Sequence, residues 1–247
     1  MLEEYLNNLD RGEYKIRIKS YIIIYHLSQQ ELEKGLRDNG IDNFIVLNRQ
    51  SAVIYLPENY DTEKLKNIDV IDWLEESVPM SSLINITNNL NDGINVVTAS
   101  GIGAFNNPYV KVSGEGILVA IIDSGIDYLN EDFINEDGTS KIVSMWNQDC
   151  NISEPPEGFS FCSEISRDEI NDAIKDNNKD LCVDELGTGT IAAGIICSGG
   201  RVNNNYRGIA PNVELVVVKL RQYEDTYTKG KINYESTDFF AAIAYVI

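Results

Sequence analysis

The chain has 247 residues, of which 43% are hydrophobic, enough for one large domain or for a small domain joined to part of a larger one. The formal net charge is −19, with 39 acidic and 20 basic residues. This excess of negative charge repels phosphate groups, so it argues against binding to nucleic acid or to an anionic membrane surface.

The beginning of the chain gives no sign of export or membrane insertion. The first residues, MLEEYLNNLDRGEYK, are acidic and lack the apolar core of a signal peptide. No run of apolar residues approaches the length of about 18 that a membrane-spanning helix needs. We therefore expect a chain made in the cytoplasm without a signal peptide, and no transmembrane segment.

The first block of the chain predicts a small α/β domain over residues 1–80. Its strands are expected at IKSYIIIYHL, FIVLN, SAVIYLP and VIDWLEE. Between the first two, Ser28 and Glu31 form a capping box that begins a helix with Leu32 and Leu36 on one face. A short helical stretch, TEKLKNI, precedes the last strand. The order β-α-β-β-α-β is typical of the ferredoxin-like fold.

The rest of the chain predicts a tether over residues 81–115 and a second domain over residues 116–247. ILVAII and VELVVVK are continuous apolar runs, as in parallel strands that are buried on both faces. Helices are expected at TGTIAAGIIC and at STDFFAAIAYVI, the second with an apolar stripe of Phe239, Ile243 and Ile247. Buried strands alternating with helices indicate an α/β parallel sheet.

An acidic insertion, Asp149–Glu185, separates the two buried strands. It holds eleven acidic and three basic residues. Ser166 and Glu169 form a capping box, which predicts one short helix. Asp176 and Asp180 are candidate calcium ligands, but their spacing is not that of an EF-hand loop, and a solvated acidic face is the favoured interpretation.

The four cysteines are spaced in a way that matches no zinc site. Free thiols are expected, and only Cys162 and Cys182 form a candidate pair for a disulfide. No motif for a cofactor is present, and none is expected.

Asp123 is the first residue that suggests chemistry, because it ends a buried strand where open α/β sheets place their sites. The segment IIDSGID around it matches the D-[ST]-G motif that carries the catalytic Asp of subtilisin-like proteases. Downstream, DELGTGTIAAGI matches the family's G-H-G-T motif except that Thr188 stands where the catalytic His belongs. Gly187, Gly189 and Thr190 hold their usual places.

Two further segments extend this resemblance to the subtilisin-like serine protease family over nearly the whole chain. YRGIAPNVELVVVK resembles the family's G-[VI]-A-P segment, which leads into a core strand. The first block resembles the family's propeptide, a ferredoxin-like domain that assists folding and caps the protease cleft. The resemblance therefore implies a subtilisin-like parallel sheet, incomplete in this chain, preceded by a propeptide domain.

A narrower resemblance links the chain to the germination-specific (Csp) subtilases of spore-forming clostridia. It rests on IDYLNEDF, KIVSMWNQD and PPEGFSFCSEISRDEINDAI. Active members cleave the zymogen of a spore-cortex hydrolase, and others have lost triad residues and act as regulatory pseudoproteases. The resemblance implies deposition in the spore and, as partners, other germination subtilases or the hydrolase zymogen, with a small-molecule germinant as a further candidate.

The replacement by Thr188 predicts loss of the Ser-His-Asp mechanism. The base of a serine protease must take a proton near neutral pH and return it to the leaving amine, which imidazole can do and an alcohol cannot. The only histidine, His26, ends the first strand of the leading domain and is a poor substitute. A structural role as helix N-cap is the alternative interpretation of Thr188.

The motif of the nucleophile, G-T-S-x-A, is not found in these residues. Gly138, Thr139 and Ser140 spell its beginning, but Lys141 follows, and they lie soon after Asp123 rather than late in the domain. The family's oxyanion-hole Asn is not found either. Because the last predicted helix is amphipathic with its apolar face unpaired, we expect the chain to be part of a longer protein.

Three functions remain open at this stage. The first is a pseudoprotease that regulates germination by binding partners or signals, which the pairing of Asp123 with Thr188 favours. The second is an active subtilisin-like endopeptidase with an unusual base, which the retained propeptide and Asp motif favour weakly. The third is a structural component of the spore.

Overall fold

The structure is a computed structural model that describes residues 18–81, 112–149, 152–224 and 232–247. The predicted tether lies almost wholly outside these residues, as do the first 17. By their contacts the residues form two compact units. The first comprises Met1–Ser81, Gln148–Ser163 and Arg221–Ile247, and the second comprises Ser82–Asn147 and Glu164–Leu220.

The first unit contains a four-stranded sheet built entirely from the leading part of the chain. Its strand order is β2-β3-β1-β4, and every pair is antiparallel. The elements are β1 (Ile18–Ile24), α1 (Gln29–Asp38), β2 (Phe44–Val46), β3 (Ser51–Pro57), a 3₁₀ helix (Thr62–Asn67) and β4 (Trp73–Glu76). The chain thus forms helix and strand in the predicted order, with a 3₁₀ helix as its second helical element.

Helix α1 begins where its capping box predicts. The Ser28 hydroxyl accepts a hydrogen bond from the Glu31 backbone at 3.4 Å, and the Glu31 carboxylate accepts one from the Ser28 backbone at 3.0 Å. Leu32 and Leu36, four residues apart, are fully buried against the sheet in one hydrophobic core. The capping box and the apolar stripe therefore agree with each other, as in most stable short helices.

A second sheet of the first unit joins the tail of the leading block to the end of the chain. It contains β5 (Pro79–Met80), β10 (Tyr223–Glu224) and β11 (Ile232–Glu235), in the order β10-β11-β5. Both pairs are antiparallel, with Pro79 opposite Glu235. Helix α4 (Ser236–Val246) follows directly.

The buried face of α4 differs from the predicted apolar stripe. Thr237, Asp238, Ala241 and Ala242 are buried, whereas Ile247 is 98% exposed. Phe239 and Ile243 of the predicted stripe are half-buried, so the apolar face that was expected to be unpaired is partly exposed. The face that is buried instead follows from tertiary contacts, because the first turn of α4 finds hydrogen-bonding partners in the leading block and in Arg221.

The second unit is built on a four-stranded sheet with strand order β6-β9-β7-β8. Strand β9 (Glu214–Lys219) pairs in parallel with β6 (Leu118–Asp123) on one side and with β7 (Ile142–Asn147) on the other. Neither β7 nor β8 (Ser163–Ser166) was predicted. Helices α2 (Arg167–Asp176) and α3 (Thr188–Cys197) pack on this sheet through one core that includes Ile121, Leu215 and Ala193. The fold is therefore mixed α/β with a parallel sheet, as predicted.

The acidic insertion contains α2, which begins at the predicted capping box of Ser166 and Glu169. Asp176 and Asp180 are exposed. In the part of the chain that the structure describes, no group of three or more His, Cys, Asp or Glu side chains is placed to hold a metal ion.

Cys162, Cys182 and Cys197 are buried, and the candidate Cys162–Cys182 disulfide does not form. None of the described helices has the length and hydropathy needed to cross a bilayer.

Candidate functional site

Asp123 is the last residue of β6, at the carboxyl end of a parallel strand. In the register of β6 and β9 its partner is Lys219, and its carbonyl accepts a hydrogen bond from the Leu220 backbone at 2.9 Å. Its carboxylate accepts a hydrogen bond from the Ser124 backbone at 2.7 Å. The strand end therefore holds the Asp123 carboxylate at the edge of the sheet, where sequence predicted it.

Thr188 is the first residue of α3 and is 1% exposed. Its hydroxyl donates a short hydrogen bond to the Asp123 carboxylate. The structure thus brings together the two site residues that the motifs identify, although they lie 65 residues apart.

The Ser124 hydroxyl lies between the Thr188 hydroxyl and the Asp184 carboxylate. It is 2.8 Å from the Thr188 hydroxyl and 2.6 Å from an oxygen of Asp184, to which it donates. Each hydroxyl has one proton. Since Thr188 donates to Asp123 and Ser124 donates to Asp184, the two hydroxyls have no proton left for a hydrogen bond to each other while both carboxylates are ionised.

The cap of α3 is not Thr188, which corrects the alternative interpretation of this residue. The N-cap is Gly187, in a left-handed conformation with φ of 73°, and it makes no side-chain cap bond. A non-glycine residue would be strained at this φ. Thr188 stands inside the helix, one position later, so its hydroxyl points to Asp123 rather than to the helix backbone.

Asp184 caps the helix instead, a role that the motifs did not reveal. Its carboxylate accepts hydrogen bonds from the backbones of Gly187 at 2.9 Å and Thr190 at 2.8 Å, and from the Thr190 hydroxyl at 2.6 Å. Burial by itself would raise the pKa of Asp184, but the hydrogen bonds from Ser124 and Thr190 lower it. An Asp just before a helix of small residues is the sequence signal that would have identified this cap.

Gly189 allows the helix to approach the strand so closely. A Cβ atom added there would lie 2.1 Å from the carbonyl oxygen of Gly125 and 3.2 Å from the Cβ of Asp123. Any side chain would push α3 away from the end of β6. The glycine that follows Thr188 is therefore needed for contact between Thr188 and Asp123.

The third motif, around Gly208 and Pro211, supports the other end of α3. The Ile209 and Ala210 backbones donate hydrogen bonds to the carbonyls of Ile195 and Ile196, at 3.1 and 2.7 Å. The buried Lys141 ammonium donates to the carbonyls of Cys197 and Pro211, each at 2.7 Å. Burial lowers the pKa of Lys141. The motif thus satisfies carbonyls that a helix leaves unpaired at its end.

The other candidate residues are placed elsewhere. His26 belongs to the first unit, where its ring nitrogen lies 2.6 Å from a carboxylate oxygen of Asp72, and both side chains are exposed. Ser140 is buried, and its hydroxyl accepts a hydrogen bond from the Ile142 backbone at 3.0 Å. It follows a tight turn before β7, where the Asn135 backbone donates to the Thr139 carbonyl at 2.7 Å.

The cluster of Asp123, Ser124, Asp184, Thr188 and Thr190 contains only carboxylates and alcohols. Such a cluster can fix a strand end against a helix by hydrogen bonds. It has no side chain of the imidazole type, which is the one that takes up and releases a proton near neutral pH without a large shift.

Comparison with known proteins identifies the family of this fold. Residues 114–237, about half of the chain, match the sequence profile of the subtilase family, Peptidase S8. The chain belongs to the subtilase family. No curated protein matches it.

Three solved structures illustrate the likeness. The CspB protease of Clostridium perfringens is 31% identical, with 50% of this chain and 24% of that chain covered and a TM-score of 0.42. A Ser-to-Ala mutant of the epidermin leader peptide processing serine protease of Staphylococcus aureus is 16% identical, with coverage of 85% and 45% and a TM-score of 0.51. Fervidolysin of Fervidobacterium pennivorans, a keratinolytic enzyme related to subtilisin, is 17% identical, with coverage of 96% and 34% and a TM-score of 0.50.

The last two similarities concern the fold alone. The chain spans less than half of the length of each of these structures, 24% in the first, 45% in the second and 34% in the third.

Proposed function

We propose that this chain is part of a catalytically inactive subtilisin-like pseudoprotease that regulates bacterial spore germination by binding partners or signals. The observation that carries the loss of catalysis is the hydrogen bond from the Thr188 hydroxyl to the Asp123 carboxylate. In an active subtilase that carboxylate orients an imidazole. Here it accepts a hydrogen bond from an alcohol, and an alcohol is far too weak a base to activate a serine.

The expected loss of catalytic rate is large enough to make the protein inactive rather than merely slow. In subtilisin, which belongs to the same family, removing the catalytic His alone lowers kcat by about 10⁶-fold. Oxyanion stabilisation and substrate binding leave roughly 10³–10⁴ over the uncatalysed rate. Such turnover is too slow for signalling, so the biological role must be carried by binding.

The leading domain is proposed to be a retained, ferredoxin-like propeptide. The strand order β2-β3-β1-β4 in an antiparallel sheet supports the ferredoxin-like assignment. Strand β5, which follows it, pairs with β11 next to α4. A propeptide that no triad removes remains part of the protein.

The assignment to germination rests on the sequence segments that resemble the Csp subtilases. They are IDYLNEDF, KIVSMWNQD and the acidic PPEG segment. The proposed partners are other germination subtilases or the zymogen of a cortex hydrolase, with a small-molecule germinant as a further ligand, and the proposed location is the spore.

The intact Asp123 motif favours a second candidate, an active endopeptidase that processes a cortex-hydrolase zymogen. It needs a base from outside the cluster. His26, the one histidine in the sequence, contacts Asp72 rather than the cluster, so this candidate needs an imidazole that the cluster itself does not contain.

Labelling with a fluorophosphonate probe, which reacts only with activated serines, tests the proposal. We expect the full-length protein neither to label nor to cleave peptide or zymogen substrates. Thr188→His is the matched variant. Where the full-length protein has a G-T-S-x-A serine, the variant should label while the wild type does not. Rapid labelling of the wild-type protein would overturn the proposal and favour the endopeptidase.

A further inference from the structure

A cavity of about 850 Å³ lies within the first unit, among the start of α1, the turn between β2 and β3, and Gly158 of the acidic insertion. Its volume is in the range of small-molecule sites, roughly 300–1,000 Å³. The residues that line it are Tyr25, Leu27, Ser28, Gln29, Glu33, Phe44, Val46, Leu47, Asn48, Arg49 and Gly158. None of the residues of the family motifs lines it, and the proposed function has not used it.

Apolar side chains form one part of the lining. Leu27, Phe44, Val46 and Leu47 are only half-buried, so they expose apolar surface to the cavity. Tyr25 is 1% exposed, and its hydroxyl donates to the carbonyl of Asn48 at 2.7 Å, so the polar end of this side chain is already satisfied. Covering such surface with an apolar ligand is favourable by about 25 cal/mol for each Å² removed from water.

The turn between β2 and β3 presents a cation to this lining. The Asn48 side chain accepts hydrogen bonds from the backbones of Gln50 at 2.8 Å and Ser51 at 3.0 Å, which fixes the turn. Arg49 lies between them and lines the cavity. Throughout the residues that the structure describes, Arg49 has no ion-pair partner.

The one acidic residue of the lining is already engaged. The Glu33 carboxylate accepts a hydrogen bond from the Gln29 amide at 2.9 Å and lies 3.9 Å from the Arg37 guanidinium. Glu33 is thus paired with Arg37, whereas Arg49 is the charged side chain of the lining that no ion pair engages among the described residues. A local cation beside apolar walls favours a ligand that carries an apolar body and one negative charge.

We propose that this cavity binds a small amphipathic carboxylate, with its apolar body against Phe44, Val46 and Leu47 and its carboxylate near Arg49. This would be the site of the small-molecule signal, so its biological meaning rests on the proposed regulatory function, whereas the binding itself does not. The ligand would also bridge the leading sheet and the insertion, because Gly158 is over 100 residues from Arg49 in sequence. Binding should therefore raise the melting temperature.

Calorimetric titration of the purified chain with sodium decanoate, below its micelle-forming concentration, tests the site. Decylammonium chloride, with the same alkyl chain and the opposite charge, is the matched ligand. We expect saturable 1:1 binding of decanoate with a rise in Tm, and no saturable binding of decylammonium. Arg49→Gln should weaken decanoate binding at least about tenfold, because it removes a charge-assisted contact.

Lys64→Gln is the matched control variant, since Lys64 is an exposed cation outside the lining. It should bind decanoate like the wild type, and both variants should melt like the wild type without ligand. Absence of saturable decanoate binding, equal affinity for the two ligands, or unchanged affinity in Arg49→Gln would overturn the proposal. None of these results bears on the serine-labelling test, so the two proposals fail separately.

Discussion

At the scale of single residues, the contact between Thr188 and Asp123 changes the role of both. Asp123, which ends β6 and is the proposed counterpart of the catalytic carboxylate of active subtilases, accepts a hydrogen bond from the buried Thr188 hydroxyl. Asp184 holds the start of α3 with three further hydrogen bonds. The retained carboxylates therefore stabilise the junction of strand and helix.

Replacing Thr188 by valine should test that structural role. Thr188→Val keeps the shape of the side chain but removes the donor to Asp123, so we expect the free energy of unfolding to fall by about 1–3 kcal/mol. Thr188→Ser retains the hydroxyl, so its free energy of unfolding should fall by less. Urea denaturation of both variants measures the difference. Equal stability of the valine variant and the wild type would mean that the hydrogen bond contributes nothing to folding.

At the scale of elements, the first turn of α4 is held by polar contacts within the first unit. The Thr237 hydroxyl lies 2.8 Å from that of Ser20, and the Ser236 hydroxyl accepts from the Val78 backbone at 3.0 Å. The Asp238 carboxylate, which is fully buried, receives two hydrogen bonds from Arg221 at 3.0 and 3.1 Å. These contacts explain why the buried face of α4 begins with polar residues rather than with Phe239.

Removing Arg221 should destabilise this element strongly. Arg221→Met leaves the Asp238 carboxylate buried without its cation, which costs about 3–5 kcal/mol, and Arg221→Met combined with Asp238→Leu should recover most of the loss. Thermal and urea unfolding of the two variants measure both effects. If the double variant is no more stable than Arg221→Met, the loss comes from packing rather than from the unpaired charge.

The loss of stability in the Arg221→Met variant should also depend on pH. Burial raises the pKa of Asp238 even with Arg221 opposing it, and loss of the cation raises it further. A raised pKa in the folded state means that stability falls as the pH rises from about 4 through the folded-state pKa. Relative to the double variant, Arg221→Met should therefore be less stable at pH 8 than at pH 5.

At the scale of the whole molecule, the leading block shares one compact unit with the first part of the insertion, up to Ser163, and with the end of the chain. Its tail pairs as β5 with β11, and the Ser77 hydroxyl lies 3.2 Å from that of Ser236. In active subtilases the enzyme's own triad removes the propeptide, which is the role proposed for this block. Without a base at position 188, we expect the full-length protein to keep it.

N-terminal sequencing of the purified full-length protein tests this expectation. The chain should retain its original N-terminus during prolonged incubation, because no triad is available to cut it. Thr188→His is again the matched variant, and it should cleave off its own leading block only where a catalytic serine is present. A new N-terminus between Glu76 and Asn88 in wild-type protein, formed without added protease, would contradict the prediction.

Local patterns were sufficient to predict most elements and the pairing of the two site residues. The capping boxes at Ser28 and Ser166 begin helices as predicted, because a cap involves residues only three apart. The apolar runs that end at Asp123 and Lys219 form adjacent parallel strands. The glycine pattern around Thr188 predicted its place at the start of a helix beside Asp123.

The features that depend on distant partners were decided only by the tertiary structure. The strands β5, β8, β10 and β11 are short, and strands of two to four residues form because a partner strand satisfies their backbone, which no local pattern records. The buried face of α4 depends on Ser20, Ser77 and Arg221. Thr188 donates to Asp123 rather than capping the helix, because Gly187 already occupies the N-cap position and the Asp184 carboxylate accepts hydrogen bonds from the first turn. By itself the sequence determined the family and most of the main elements, because both are carried by residue types at fixed spacings.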